Sequence, residues 1–458
     1  MKFHDREKEL ELLESLMGSA PSFIVITGKR RVGKTELIKQ FIRSHPSLYF
    51  FVDENKSADV LLAEYAEYVR SSLRLPDYVR FDNFEQLIGF LLEQKGPLVV
   101  AFDEFQRFQG VDPSFITTLQ KRWDLKEAEA GVLLIASGSS MGMMRRIFVE
   151  SGAPLFKRAD NVLTLRPFSL RQTFEVLEEI GVKGQDEKLD LFSLFGGTIH
   201  FYRLMEKYRA RSFEEAVDKL VLSELAPLRT EVRDIMVEEF GKEHATYFEI
   251  LAAMALGKCT KKEIGDFTHV SPNSLSPYLE DLMDFLQVVE REVPVTEDQV
   301  RSKKGRYVLK DNFFRFYFRF IYRDMSRYAI GDFAPIKEKV IKNWGDLRGR
   351  AFEDVALEAV RKRFSGQYDR MGRFWTRKGD EIDVVGLAKG KLLAMETKAG
   401  RLTQKEARSV LNSLEKKVEL LHDEGRRKLG LVCVAVEGKE ALKADGYEVL
   451  TLDDLLSG

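Results

Sequence analysis

Ser22-Phe23-Ile24-Val25-Ile26-Thr27-Gly28-Lys29-Arg30-Arg31-Val32-Gly33-Lys34-Thr35 runs from an apolar stretch through a glycine loop to a lysine and a hydroxyl. The second half fits G-x-x-x-x-G-K-[ST]. Glycines at both ends of such a loop let backbone N–H groups curl around phosphate oxygens. Lys34 then reaches the β- and γ-phosphates, and the Thr35 hydroxyl holds Mg²⁺. A helix expected over Thr35–Arg43 adds its positive N-terminal end. A strand before the loop and a helix after it supply the context the motif requires. The expected ligand is ATP, with contacts from Gly28, Arg31, Gly33, Lys34, Thr35 and Glu36.

Working outward, four more short apolar runs follow: Ser47–Val52, Pro97–Phe102, Gly131–Ala136 and Asn161–Leu165. Short apolar runs separated by helical patterns read as a parallel sheet with helices on both faces. Leu98-Val99-Val100-Ala101-Phe102-Asp103-Glu104 places two acids at the end of a buried strand. Asp103 is expected to hold Mg²⁺ through water, and Glu104 to orient or deprotonate the attacking water. Leu133–Ser140 is a further strand ending in hydroxyls. It presents either a γ-phosphate sensor or a helix N-cap at Ser139 or Ser140. Arg158, in Pro154-Leu155-Phe156-Lys157-Arg158, is either an arginine supplied to the γ-phosphate or a surface residue.

At 458 residues the chain exceeds what one hydrophobic core usually serves. Hydrophobic residues at 44% and charged residues at 32% describe a well-solvated globular protein, not a disordered one. The formal net charge is −1, so any surface for a polyanion must be local. Cys259 and Cys433 are the only two cysteines, which excludes a disulfide framework and a four-cysteine zinc site. No apolar run reaches the roughly 18 residues of a membrane span. The first residues carry no apolar signal core, and the expected location is the cytoplasm.

Past residue 168 the rhythm changes. Residues 168–240 read as helical, broken by Gly196-Gly197. His244–Leu256, Lys261–Phe267 and Ser274–Phe285 read as three helices, followed by a strand pair at Gln287–Val293 and Arg306–Lys310, a winged-helix pattern. Ser274–Phe285 is the candidate recognition helix: Asn273, just before it, with Ser274, Ser276 and Tyr278 are the candidate DNA contacts, while Glu280, Asp281 and Asp284 would oppose phosphate on their face. Packing between domains is the other reading. Residues 301–350 hold fourteen Lys or Arg against five Asp or Glu. Arg315, Arg319, Arg323 and Arg327 recur every fourth residue through an expected aromatic helix, Phe313–Tyr328. They read either as a stripe for a nucleic-acid backbone or as ion-pair partners over an aromatic core.

Glu381–Val385 and Leu392–Lys398 read as a hairpin joined through Ala388-Lys389-Gly390-Lys391. Glu396 and Lys398 share one strand face, Asp383 meets them across the pair, and Glu353 in the expected helix Gly349–Arg363 adds a fourth group. D-x₁₂-E-x-K in this context suggests a metal-dependent nuclease site with Asp383 and Glu396 as Mg²⁺ or Mn²⁺ ligands. A surface hairpin, or a nuclease fold without activity, is the plainer reading.

Together these residues resemble the archaeal-type P-loop ATPases of the AAA+/STAND group. Phe3-His4-Asp5-Arg6-Glu7-Lys8-Glu9 is similar to that group's adenine-side motif, with Asp5 in place of the usual glycine. The resemblance implies that Arg6 contacts the nucleotide. Phe102–Gln106, Gly138-Ser139-Ser140 and Pro154–Arg158 are also family-like, and Gly196-Gly197-Thr198-Ile199 is similar to a helical-lid motif. Members commonly carry a winged helix, and one branch carries a domain similar to PD-(D/E)xK nucleases. The expected fold class is α/β, with a P-loop core over 1–185, a helical lid over 186–240, a winged helix and basic aromatic helix over 241–335, and a restriction-endonuclease-like domain over 336–458. The expected function is ATP hydrolysis coupled to DNA processing or cleavage. The alternative is a nucleotide-dependent switch whose C-terminal domains only bind DNA or a protein partner, a second copy included.

Overall fold

The computed structural model describes residues 5–126, 130–241, 244–421 and 425–457. The chain divides into two compact units. One holds the chain up to Pro167 with Thr198–His200 and Asp284–Leu286; the other holds Phe168–Gly197, Phe201–Met283 and the chain from Gln287 on. The four-part division read from the sequence is finer than these units.

In the first unit, β1 (Ser22–Thr27), β2 (Ser47–Phe51), β3 (Leu98–Asp103), β4 (Val132–Gly138) and β5 (Asn161–Thr164) form one sheet in the order β2-β3-β4-β1-β5. Every pairing is parallel. Every residue of β1, β3 and β4 is buried. That burial on both faces explains their unbroken apolar composition. One face carries the core of Phe23, Val25, Val100, Phe102 and Leu134, and the other that of Ile24, Ile26, Val99, Leu133 and Ile135. A parallel sheet sends the C-terminal ends of its strands to one edge, so Gly28, Asp103 and Gly138 gather there. That edge is where open α/β sheets bind ligands.

The second unit begins with a capped helix. The Ser169 side chain accepts from the Gln172 backbone, and Gln172 answers to the Ser169 backbone, opening Leu170–Glu179. The helix Gln185–Phe195 ends at Gly196 with φ +59, and a Cβ on Gly197 would lie 1.9 Å from the Phe168 carbonyl oxygen. The glycine pair is therefore required by the backbone. Helices His244–Ala255, Lys261–Thr268 and Leu275–Asp284 lead to an antiparallel pair, β6 (Val289–Glu292) and β7 (Arg306–Leu309).

The expected helix Phe313–Tyr328 is not continuous. Asn312–Phe316 is α-helical, Tyr317–Ile321 forms a π-turn, Tyr322–Asp324 is a 3₁₀ turn and Met325–Ala329 is α-helical again. Phe313, Phe316, Phe318 and Phe320 are all buried, and packing these rings sets the backbone. The four-residue arginine spacing therefore does not make a single stripe.

A 30-residue helix, Ala334–Arg363, follows, starting well before the expected Gly349. Gly345 and Gly349 lie inside it, but Ile336, Val340, Trp344, Leu347 and Ala351 form a continuous buried stripe. Burial of that stripe outweighs the roughly 1 kcal/mol each glycine costs. β8 (Arg370–Trp375), β9 (Glu381–Ala388), β10 (Lys391–Leu402), β11 (Arg426–Val436) and β12 (Glu448–Thr451) form a mixed sheet in the order β12-β11-β10-β9-β8. The first three strands are antiparallel and the last two continue in parallel with β10. The helix Gln404–Val418 crosses from β10 to β11.

Candidate functional site

The loop after β1 takes the conformation that its glycines permit. Gly28 has φ +151, and a Cβ there would sit 2.4 Å from the Leu165 carbonyl oxygen. Arg31 and Gly33 also have positive φ, 66° and 100°, and the helix Lys34–Ile42 starts at once. The Lys34 ammonium is buried in the loop and donates to the carbonyl oxygens of Gly28 at 2.9 Å and Lys29 at 3.1 Å. Its charge thus lies inside the ring of backbone that would receive phosphate oxygens.

Asp103 joins the loop to the sheet. Its Oδ2 accepts from Thr35 Oγ1 at 2.6 Å and from the Tyr49 hydroxyl at 2.7 Å. Burial, and then the nearby Asp103 carboxylate, pushes the Tyr49 phenol far above its ordinary pKa, so it remains a donor. Tyr49 was not anticipated from the sequence. Its signal is positional: β2 pairs with β3, which puts Tyr49 opposite Ala101, two residues from Asp103.

Glu104 sits at φ +57 just past β3. Its Oε2 accepts from Gln106 Nε2 at 2.6 Å and from Ser139 Oγ at 2.7 Å. Burial alone would raise this carboxyl. The Ser139 and Gln106 bonds, with the charges of Lys34 and Arg107, outweigh it and hold Glu104 below the ordinary carboxylate range. The two hydroxyls after β4 therefore part company. Ser139 is bound to Glu104, while Ser140 takes the N-cap position of the helix Met141–Phe148 without a side-chain capping bond.

The remaining expected contacts fall unevenly. Arg6 is buried and donates to Glu9 at 2.9 Å, to the Arg166 carbonyl at 2.8 Å and to the Val32 carbonyl at 3.4 Å, which places it against the loop. Asp5, in the place of a glycine, adopts φ +48, a left-handed geometry that Asp tolerates. Phe3 and His4 lie outside the described residues. Arg31 reaches His200 Nε2 at 2.8 Å. Glu36 is turned outward toward Lys39 at 3.8 Å. Arg158 is held by Asp124 at 2.9 Å and by the carbonyls of Pro154 and Phe156.

A family described as an ATPase domain predominantly from Archaea matches residues 3–200. The uncharacterized protein MJECL04 of Methanocaldococcus jannaschii is 31% identical over 447 residues, covering 96% of this chain and 97% of its own. The chain belongs to this family of archaeal P-loop ATPases. The Walker-type ATPase PABY2304 of Pyrococcus abyssi shares the fold, at 18% identity and a TM-score of 0.51, over 69% of this chain and 96% of that one. Residues 317–410 match a second family, described as archaeal and bacterial proteins of unknown function. Among the described residues no helix of the ATPase is long and apolar enough to cross a membrane.

The second unit of the ATPase holds the other acids. Asp383 Oδ2 on β9 accepts from the Thr397 backbone at 2.7 Å and the Thr397 hydroxyl at 2.9 Å. Glu396 on β10 is buried and accepts from Lys417 Nζ at 2.7 Å. Burial, then the Asp383 charge, pushes the Glu396 carboxyl up to about 7, against the pull of Lys417. Lys398 is exposed, just before a register shift in β10. Lys417 comes from the helix after β10, 21 residues away, and no spacing rule pointed to it. Glu353 is raised by burial and then by the Asp383 charge, but its carboxylate is bound to Arg350 at 3.0 Å and Arg373 at 3.4 Å. Among the described residues no group of three His, Cys, Asp or Glu side chains is gathered to hold a metal ion.

The arginine stripe is largely committed. Arg315 is buried and bound to Asp354 at 3.0 Å and to the Leu309 carbonyl. Arg319 pairs with Asp346 at 2.8 Å and Arg327 with Asp332 at 3.2 Å, whereas Arg323 is exposed. In Leu275–Asp284, Asp281 accepts from Tyr247 at 2.5 Å and Ser276 bonds Lys261 at 2.7 Å.

Proposed function

We propose that this ATPase couples nucleotide turnover to DNA processing, with hydrolysis in the first unit and phosphodiester chemistry at Asp383 and Glu396 in the second. For hydrolysis, Glu104 orients the attacking water as an ionised base, and Lys34 offsets charge on the γ-phosphate. Thr35 and Asp103 supply hard oxygens at the place where the nucleotide's Mg²⁺ would sit. Arg6 and Arg31 flank the loop on the nucleotide side.

The observation that carries the DNA reading is the pairing of Asp383 and Glu396 on adjacent strands of a mixed sheet. Glu396 is buried and Asp383 half-buried, and burial, then the Asp383 charge, pushes the Glu396 carboxyl up. Such a pair suits a divalent cation, and the hard-oxygen set of Asp383, Glu396 and the Thr397 carbonyl suits Mg²⁺ or Mn²⁺. That ion would polarise a phosphate and make hydroxide available from water. Thr397 fixes the Asp383 carboxylate, Lys417 steadies Glu396, and exposed Lys398 on the same face as Glu396 meets the phosphate. The order helix, three-strand meander, helix, parallel strand supports the nuclease-like reading of residues 336–458. Three helices followed by the β6–β7 pair support the winged-helix reading.

A second reading has its own observation. Glu353 is committed to Arg350 and Arg373, and Lys417 already neutralises Glu396. A site balanced by internal cations fits a nucleotide-dependent switch whose second unit only binds DNA or a protein. The deciding experiment incubates the full chain with Mg²⁺ or Mn²⁺ and single-stranded, duplex or branched DNA, with and without ATP. Cleavage lost in Asp383→Ala supports DNA processing. No cleavage of any substrate selects the switch.

A further inference from the structure

The helix Gln404–Val418 has one face that neither proposed site uses. Its inner face is fixed: Ala407, Leu411 and Leu414 are fully buried. Its start is fixed as well, by a capping box between Thr403 and Glu406. The outer face is therefore presented in one orientation. Lys405, Arg408, Ser409, Asn412, Ser413 and Lys416 fall on it at helical spacing, and with Gln404 they line a broad, shallow groove of about 880 Å³.

No acid lies in that row. Glu406 is turned back to Thr403, and Glu415 accepts from Tyr447 at 2.7 Å. Arg408 pairs with Asp445 at 2.6 Å, while Lys405 and Lys416 have no ion pair among the described residues. The two lysines stand eleven residues apart, about 16 Å along the axis at 1.5 Å per residue. They do not converge on a point, as a site for one small anion would need. Hydroxyl and amide donors fill the interval, and small Ser side chains allow close approach.

We propose that this face binds the phosphodiester backbone of a nucleic acid. The proposal rests on the DNA reading above and adds where the polymer lies. A strand of duplex DNA carries a phosphate every 3.4 Å of axis, so about 16 Å of cationic and hydrogen-bonding face matches about five of them. Contacts of this kind track the backbone and carry no sequence preference. Lys417, next in sequence to Lys416, reaches Glu396, so the face and the acid pair are served by one helix.

The test is fluorescence anisotropy of labelled single-stranded and duplex oligonucleotides with the full chain over a range of salt. Lys405→Ala with Lys416→Ala should weaken binding and lower the log–log salt slope by about 1.8 on duplex and about 1.4 on single strands. Lys405→Glu with Lys416→Glu should weaken it further. ATP turnover should be unchanged in both, and an unchanged thermal melt of the full chain reports intact folding. Wild-type affinity and slope in the double alanine variant would overturn the surface and leave the DNA reading standing. Absence of nucleic-acid binding by the wild-type chain would overturn both. Equal, lysine-dependent binding of polyglutamate would overturn the assignment in favour of an acidic protein partner.

Discussion

Two pairs of carboxylates lie in the two units, and they are stabilised in opposite ways. Asp103 and Glu104 are bound almost wholly by neutral donors: Thr35, Tyr49, Ser139 and Gln106. Those donors favour the ionised form, and Glu104 is held below the ordinary range. Asp383 has neutral donors too, but Glu396 is buried beside it and pushed up to about 7, with the Lys417 ammonium against it. Dipoles stabilise a charge without cancelling it, so the first pair stays available to a cation and a water. A resident ammonium cancels the charge, so at the second pair a divalent ion must contend with Lys417.

The largest effect that would test this contrast is at the loop. Lys34→Ala should remove the cation facing the phosphates and lower turnover on the order of 10³-fold. Full ATP hydrolysis in that variant would dissolve the first half of the comparison. Glu104→Gln keeps the shape and the Ser139 contact but loses the base, so ATP should still bind while turnover falls roughly 10²- to 10⁴-fold. Because Glu104 is held low, the wild-type turnover profile should show no loss from this group between pH 7 and 5. A loss centred near pH 6 would mean that burial, not the donors, dominates.

Next in size is Lys417→Met. Breaking a buried pair costs about 3–5 kcal/mol, and less here because Lys417 is 31% exposed in its side chain. The sign follows from the raised Glu396 carboxyl. The folded state holds that proton more tightly than the unfolded chain does, so its contribution favours folding at low pH and fades as pH rises toward 7. Removing Lys417 should steepen the fall, leaving the variant near wild type at pH 5 and weakest at pH 8. Thermal melts at the two values read it, and equal destabilisation at both would show that Lys417 acts by packing alone. The smallest effect is at Tyr49. Tyr49→Phe removes one bond to a charged acceptor, about 1.5–3 kcal/mol at most. About tenfold weaker use of Mg–ATP with a smaller change in maximal rate would make Tyr49 a positioning residue for Asp103. An unchanged Mg²⁺ dependence would leave it structural.

How far these sites were legible follows from where their parts sit in the chain. The loop was readable because its spacing specifies backbone shape: only glycine suits Gly28 against the Leu165 carbonyl. Asp103 and Glu104 were readable as the end of a buried strand. Tyr49, 54 residues from Asp103, and Lys417, 21 from Glu396, were not, because strand order and helix packing bring them in. Ser139 was noticed but its partner was not, since Glu104 belongs to another strand end. Arg158 was noticed for its type, and Asp124 holds it. The long helix reaches back to Ala334, well before Gly349, because packing of Ile336, Val340, Trp344 and Leu347 carries it, and that packing is not visible in spacing alone.

The π-turn at Tyr317–Ile321 works as slack in the winding. Its hydrogen bonds close one residue later than those of an α-turn, so each residue inside it turns less about the axis. The extra residue is thereby taken up within the turn, with little change of phase downstream. Arg315 enters in phase with the core and meets Asp354, while Arg323 emerges to solvent. Deleting one residue within Tyr317–Ile321 would restore an ordinary winding and leave the following segment close to its present phase, because the wide turn already takes up that residue. The segment can therefore gain or lose one residue at this turn without re-aiming the elements on either side of it.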